Sequence, residues 1–125
     1  MKKILLVEDD EALVGALTSE LNQNNEFAIL AAKDGNEGLK VALKEHPHII
    51  LLDLLMPKMD GITMLKKLRQ DEWGKNVKVL ILTNLDDKDK IAEAIDSRVF
   101  DYMIKSNWNI GDVYRKVSTE LKYID

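Results

Sequence analysis

Acidic, hydroxyl and basic side chains follow short apolar segments of this sequence. Glu8 and Asp9 come directly after the first apolar segment, and Asp53 comes after the third. Thr83 follows the fourth segment and Lys105 the fifth. Carboxylates that crowd together destabilise a fold unless a cation joins them. Because oxygen ligands without histidine or cysteine suit Mg²⁺ or Mn²⁺ better than zinc, these residue types predict a divalent metal site.

Five short, nearly continuous apolar segments predict a parallel sheet that is covered on both faces. They span residues 4–7, 27–32, 49–52, 77–82 and 100–104. Amphipathic stretches alternate with them, so the predicted order is βαβαβαβαβα, and right-handed crossovers place helices on both faces. Ligands bind such sheets at the carboxyl ends of the strands, which is where the polar residues fall.

The starts and buried faces of the helices are predicted as well. We expect Ile91 and Ile95 to share the apolar face of the fourth helix. Aspartate side chains cap helix N-termini, and aspartates stand at the expected helix starts: Asp10, Asp34, Asp60 and the pair Asp86-Asp87.

Composition limits the classes of protein to consider. The chain has 125 residues, no cysteine and a net charge of −4, so it has no disulfide framework or thiolate metal site. An acidic domain is not expected to bind nucleic acid directly, because phosphate neutralisation needs a basic face. No apolar run approaches the about 20 residues of a membrane span, and no signal-peptide pattern is present. We therefore expect a cytoplasmic protein without membrane contact.

The length predicts one domain over residues 1–125. No linker, repeat or low-complexity segment interrupts the alternation of elements. Two interpretations stay open: a domain that works alone, or a piece of a longer regulator.

Four short motifs occur in order along the chain. They are the pair Glu8-Asp9, the run DLLMPKMDG at residues 53–61, Thr83 after VLIL, and YMIK at residues 102–105. Together they resemble the bacterial response-regulator receiver domain of two-component signalling, of the chemotaxis-type, single-domain kind. The resemblance covers essentially the whole chain. It implies an α/β, flavodoxin-like (βα)5 fold with one five-stranded parallel sheet.

The resemblance also implies the chemistry of the site. Asp53 would accept a phosphoryl group from a histidine kinase, a histidine phosphotransfer protein or a small donor such as acetyl phosphate. Mg²⁺ or Mn²⁺ would be held by Asp9, Asp53 and the backbone carbonyl of Leu55, with Glu8 acting through water. Lys105 would balance the remaining phosphoryl charge. The domain would then act only on itself, through phosphorylation and self-dephosphorylation, and not as an enzyme on other substrates.

A switch is implied by the same resemblance. Thr83 would hydrogen-bond a phosphoryl oxygen, and Tyr102 would change rotamer in response. The fourth helix, fifth strand and fifth helix, about residues 87–125, would present the state to a downstream effector or to an output domain outside this sequence. Phosphorylation could also drive dimerisation.

Several residues depart from the family pattern or control access to the site. Leu55, Asn84 and Leu85 are expected to flank the approach of water to the phosphorus, and the two apolar side chains predict slow dephosphorylation. Ser106 replaces the proline that usually follows the lysine, and we predict a cis Lys105–Ser106 bond with trans left open. Arg98-Val99 replaces a common Gly-Ala pair, which predicts a different turn before the fifth strand.

Three alternative functions are weighed against this interpretation. A flavin or nucleotide carrier needs a Ser/Thr/Gly-rich loop after the first strand, where this chain has EDDE at residues 8–11. A phosphatase of the haloacid-dehalogenase type needs an aspartate two residues after the nucleophile, where Leu55 stands. A degenerate receiver that only binds proteins is the remaining alternative, because Asn84 and Ser106 depart from the pattern.

Overall fold

Five strands and five helices alternate along the chain. The computed structural model describes residues 1–84, 88–105 and 109–122. The strands are β1 (Lys2–Val7), β2 (Phe27–Ala32), β3 (Ile49–Leu52), β4 (Lys78–Thr83) and β5 (Asp101–Ile104). The helices are α1 (Glu11–Leu21), α2 (Gly35–Glu45), α3 (Gly61–Arg69), α4 (Lys88–Asp96) and α5 (Ile110–Leu121). The predicted α/β order is confirmed.

All five strands pair in parallel in one sheet of order β2-β1-β3-β4-β5. From β1 the chain first moves to β2 on one side, and β3 then pairs with β1 on the other side. The carboxyl ends of β1 and β3 therefore flank the point where the strand order changes direction. Open parallel sheets bind their ligands at this point.

Helices cover both faces of the sheet, because successive side chains of a strand point to opposite sides. Leu5 and Val7 of β1 pack in a cluster with residues of α2, α3 and α4. Ile4 and Leu6 pack in a second cluster with residues of α1 and α5. Both faces of β1 are thus buried, as its continuous apolar sequence predicts.

Aspartate caps begin three of the helices, as predicted. The side chains of Asp10, Asp34 and Asp60 each accept hydrogen bonds from backbone N–H groups in the first turns of α1, α2 and α3. Asp86 and Asp87 lie outside the described residues. The cap of α5 was not predicted: Asn109 and Asp112 form a reciprocal capping box, in which each side chain accepts from the other's backbone N–H.

The predicted buried face of α4 is wrong. Ile95 is 47% exposed, and Ala94 is the buried residue of this helix, while Ile91 is half-buried. The contact with the rest of the fold passes through position 94, where a small side chain lets the helix approach closely. The spacing of Ile91 and Ile95 therefore predicted the wrong orientation of α4 about its own axis.

Three strands have boundaries that differ from the prediction. β1 begins at Lys2 rather than at residue 4, and β5 begins at Asp101 rather than at residue 100. β4 begins at Lys78 rather than at residue 77, and the Val77 carbonyl accepts a hydrogen bond from Arg69 Nη1 at 2.8 Å. The strand continues to Thr83, which pairs with Ile104 of β5.

In the part of the chain that the structure describes, no helix is long and apolar enough to cross a membrane.

Candidate functional site

The acidic residues of the site lie at the ends of two neighbouring strands. The Glu8 N–H donates to the Ala32 carbonyl at 3.0 Å, and the Asp53 N–H donates to the Val7 carbonyl at 3.0 Å. These bonds continue the ladders beyond β1 and β3, so the backbone of both residues is fixed by the sheet. The predicted convergence of Glu8 and Asp53 is confirmed.

Three carboxylates meet at this edge of the sheet. One oxygen each of Glu8, Asp9 and Asp53 lies within 4.8 Å of the others. Glu8 and Asp53 are 7% and 6% exposed, whereas Asp9 is exposed. The donors are all hard oxygens and one of them faces solvent, which fits a cation such as Mg²⁺ that keeps several of its waters.

Lys105 reaches the same cluster from the end of β5. Its Nζ lies 2.8 Å from Glu8 Oε1 and 3.6 Å from Asp53 Oδ2. One ammonium therefore bridges the two most buried carboxylates. A single positive charge leaves a net negative site, because the three carboxylates carry up to three negative charges.

The pKa of Glu8 reflects first its burial and then its charged neighbours. This pKa is raised to about 7: burial is the largest cause and the neighbouring Asp53 adds to it, while the Lys105 ammonium acts in the opposite direction. Without a second cation, Glu8 and Asp53 are held close enough that a proton on Glu8 relieves their repulsion. A bound divalent cation would take the place of that proton.

The loop after β3 is held by close backbone contacts. The Leu55 N–H donates to Asp53 Oδ1 at 3.3 Å, and the Gly61 N–H donates to the Leu54 carbonyl at 3.0 Å. A Cβ on Gly61 would lie 2.3 Å from the Asp53 carbonyl oxygen. Only glycine allows α3 to begin this close to Asp53, whereas the sequence alone indicated no more than a helix start at this position.

A second glycine supports the far side of this loop. The Gly35 N–H donates to the Met59 carbonyl at 2.9 Å, and a Cβ there would lie 2.4 Å from the same oxygen. Lys58 adopts a left-handed backbone conformation with φ of 64°, and its Nζ lies 3.8 Å from Asp34 Oδ2. The start of α2 therefore positions the loop between Asp53 and α3, which local motifs did not reveal.

The other predicted site residues differ in their exposure. Thr83 is fully buried at the end of β4, and Tyr102 is 41% exposed on the edge strand β5. Leu55 is 57% exposed and Asn84 is exposed. Leu85 and Ser106 lie outside the described residues, and so do their predicted roles and the geometry of the Lys105–Ser106 bond.

Comparison with known proteins agrees with this arrangement. The family model of the response regulator receiver domain matches residues 4–117. The chain is 33% identical over its full length to the DNA-binding dual master transcriptional regulator RpaA of Synechocystis, and covers 51% of that protein. It is 38% identical over 83% of its length to the regulatory protein PhoP of Bacillus subtilis, and covers 42% of it. The chain thus spans about half the length of these curated relatives.

Solved structures show the same fold. The receiver domain of the Francisella response regulator 1452 matches with a TM-score of 0.87 and 28% identity, and each chain is covered completely. The Mn²⁺-bound response regulator Rcp1 matches with a TM-score of 0.82 and 27% identity, covering 98% of this chain and 94% of the other. The phosphorylated cyanobacterial phytochrome response regulator RcpA matches with a TM-score of 0.81 and 29% identity, covering 98% and 92%.

Proposed function

The chain belongs to the response-regulator receiver family, and on this premise we propose that Asp53 is its phosphoacceptor. Receiver domains are phosphoacceptor switches of two-component signalling that are phosphorylated on an aspartate, and they are not enzymes of the usual kind. The observation that supports Asp53 is its position: it is buried at the end of β3 and within reach of both Asp9 and Lys105.

The transfer step follows from the chemistry of a carboxylate nucleophile. An Asp53 oxygen attacks the phosphorus of a phosphohistidine, the phosphorus–nitrogen bond breaks, and the imidazole keeps the bonding electrons and takes a proton. Both reactants are negatively charged, so positioning and charge neutralisation supply the catalysis. The Lys105 ammonium lies 3.6 Å from Asp53 Oδ2 and would offset part of the phosphoryl charge.

A divalent cation is the second source of positive charge in this proposal. Receiver domains bind Mg²⁺ or Mn²⁺ at an acidic pocket, and the Glu8, Asp9 and Asp53 cluster has the donor set for it. Asp9, Asp53 and the Leu55 carbonyl would hold the ion, with Glu8 bound through water. When bound, the ion stabilises charge on the transferring phosphoryl group.

The response to phosphorylation is proposed to pass through β4 and β5. Thr83 ends β4, and its hydroxyl would bind a phosphoryl oxygen of phosphorylated Asp53. Tyr102 pairs with Ile81 in the neighbouring strand and is 41% exposed, and its ring would change rotamer in response. The state with the Thr83 contact would be favoured only when the phosphoryl group is present, which is a population shift between two conformations.

Partners are proposed by class. Receiver domains interact with histidine kinases and phosphotransfer proteins, and we propose such a protein as the phosphoryl donor. We propose α4, β5 and α5 as the output surface, which lies within residues 87–125, and either a separate effector or an output domain as its target. Three further properties stay predictions: dimerisation on phosphorylation, a cytoplasmic location, and one receiver domain that spans residues 1–125.

Phosphorylation by acetyl phosphate with Mg²⁺, followed by intact mass measurement, tests the assignment. The natural protein should gain one phosphoryl group, and Asp53→Asn should gain none. Asp10→Asn is the matched control, because it removes the same charge two residues from Glu8 and asparagine caps α1 as well as aspartate. Equal addition to Asp53→Asn and the natural protein would refute the site.

The same measurement distinguishes the alternatives. No addition to the natural protein would favour a receiver that only binds other proteins. A flavin or nucleotide carrier is disfavoured by the cleft of about 190 Å³ beside the site, whose lining includes Glu8, Asp9, Glu11 and Glu37. These carboxylates would repel the phosphates of such a ligand.

A further inference from the structure

A basic cavity lies at the amino end of the strands, opposite the carboxyl end that carries Asp53. It has a volume of about 260 Å³ and lies beside the first residues of β4 and β5. Four basic side chains line it: Arg69, Lys75, Lys78 and Arg98. This concentration of positive charge contrasts with the net charge of −4 of the whole chain.

Arg69 forms the inner wall of the cavity. Its Nε donates to the Ser97 carbonyl at 2.9 Å, and its Nη1 donates to the carbonyls of Gly74 at 2.7 Å and Val77 at 2.8 Å. Its Nη2 donates to the Arg98 carbonyl at 2.6 Å. These four bonds fix the guanidinium between the α3–β4 and α4–β5 connections.

The charge of Arg69 lacks a counterion in the part of the chain that the structure describes. Its four acceptors are neutral carbonyls, and one Nη2 hydrogen remains beyond these bonds. Burial and the neighbouring Arg98 guanidinium both lower the pKa of Arg69. An anion in the cavity would offset this unfavourable environment.

Arg98 supplies a second guanidinium from a position that favours glycine. Its φ is 64°, in the left-handed region that costs a residue with a Cβ about 1–2 kcal/mol. Its exposed side chain lines the cavity and forms no ion pair with any of the described residues. An arginine kept in a strained conformation is an observation from which a functional role can be inferred.

The two lysines contribute less to the cavity. Lys75 lies 2.8 Å from Glu72, and Lys78 lies 2.5 Å from Glu120, so both have carboxylate partners. The unbalanced charge is therefore that of Arg69 and Arg98. The volume is smaller than the about 300–1,000 Å³ of pockets for organic ligands, so the cavity suits a small ionic group.

We propose that this cavity is a binding site for a phosphate group, held between the guanidinium groups of Arg69 and Arg98. Arg69 has one remaining Nη2 hydrogen for a phosphate oxygen, whereas the planar guanidinium of Arg98 can match two phosphate oxygens as a pair. Two positive charges suit a ligand that carries more than one negative charge. The phosphate is either the free ion or the phosphate of a small phosphomonoester. The site is separate from Asp53 and does not depend on the phosphoacceptor assignment.

Backbone amide NMR of the full chain without Mg²⁺ tests this site. Inorganic phosphate and glycerol 3-phosphate are titrated separately, and sodium chloride at matched ionic strength is the reference. Saturable shifts are expected at residues 74–78 and 98–100, with little change at residues 8, 9 and 53. Equal affinity for both probes assigns the site to the phosphate group, whereas binding of inorganic phosphate alone assigns it to the free ion.

Two variants remove the same charge at different places. Arg98→Gly relieves the left-handed strain and should fold well, yet it should weaken phosphate binding by roughly fivefold or more. Lys40→Gln, an exposed change on α2, should leave the affinity unchanged. Unchanged affinity in Arg98→Gly, shifts centred on Asp53 and Lys105, or equal shifts with chloride would each overturn the proposal.

Discussion

Leu55 is the residue beside Asp53 whose side chain the structure leaves in solvent. It is 57% exposed, while its N–H donates to Asp53 Oδ1 at 3.3 Å. The side chain is thus free to cover the phosphoryl group, and a branched apolar group cannot orient a water for attack on phosphorus. We therefore expect the phosphorylated protein to persist for many minutes or longer.

Leu55→Asn should shorten this lifetime, because an amide can hold the attacking water by a hydrogen bond. We expect decay to quicken roughly threefold or more, equivalent to about 0.7 kcal/mol of barrier. Loss of the phosphoryl group is followed after donor removal, with Mg²⁺ present. Leu55→Ile keeps an apolar side chain of equal size and should decay as slowly as the natural protein. Equal acceleration by both variants would show that polarity is not the controlling property.

At the scale of elements, the start of α3 determines where Asp53 lies. Gly61 brings the first turn of this helix against the backbone of residues 53 and 54, and Asp60 caps it by accepting from Thr63 N–H at 2.8 Å. Gly15 of α1 is different, because a Cβ there would have no atom within 4 Å. Substitution by alanine at Gly61 and at Gly15 is therefore predicted to have opposite effects on stability.

Gly61→Ala should destabilise the protein by about 1–3 kcal/mol, because its Cβ would lie 2.3 Å from the Asp53 carbonyl oxygen and backbone must move. Gly15→Ala should stabilise it by roughly 0.5–1 kcal/mol, since alanine loses less entropy in a helix. Urea unfolding measures both. The displaced backbone should also slow phosphorylation of Gly61→Ala. A variant with natural stability would contradict the close contact.

At the scale of the whole molecule, the sheet carries opposite charge patterns at its two ends. Glu8, Asp9 and Asp53 crowd at the carboxyl end, where the Lys105 ammonium offsets part of their charge. Arg69 and Arg98 lie at the other end. The free energy of unfolding should therefore depend on which ions are present.

Mg²⁺ should raise the thermal stability of the natural protein, by about 1.4 kcal/mol at a concentration tenfold above its dissociation constant. Asp9→Asn should be more stable without Mg²⁺, because one repelling charge is gone, and it should lose the Mg²⁺ response. Asp10→Asn should keep that response. Thermal unfolding with and without Mg²⁺ checks all three proteins, and a full Mg²⁺ shift in Asp9→Asn would contradict the ligand assignment.

The sequence predicted much of the fold and part of the site, for local reasons. Continuous apolar runs of four to six residues, such as that before Glu8, suit strands of a sheet covered on both faces. The aspartate caps were equally local, since Asp10, Asp34 and Asp60 each bind N–H groups two or three residues away. The rotation of α4 was mispredicted at Ile95, because the apolar pattern of a nine-residue helix allows more than one buried face.

The sequence by itself determined that Glu8, Asp9, Asp53 and Lys105 end parallel strands, and parallel strands bring their carboxyl ends to one edge. Only the tertiary structure decided that Lys105 bridges two buried carboxylates, and that Gly61 must lack a Cβ. The tertiary structure likewise brought Arg69 and Arg98 together at the amino end of the strands. These contacts join residues far apart in the chain, and their distances depend on how helices pack on the sheet. Such packing depends on all the side chains between the elements, which no local spacing encodes.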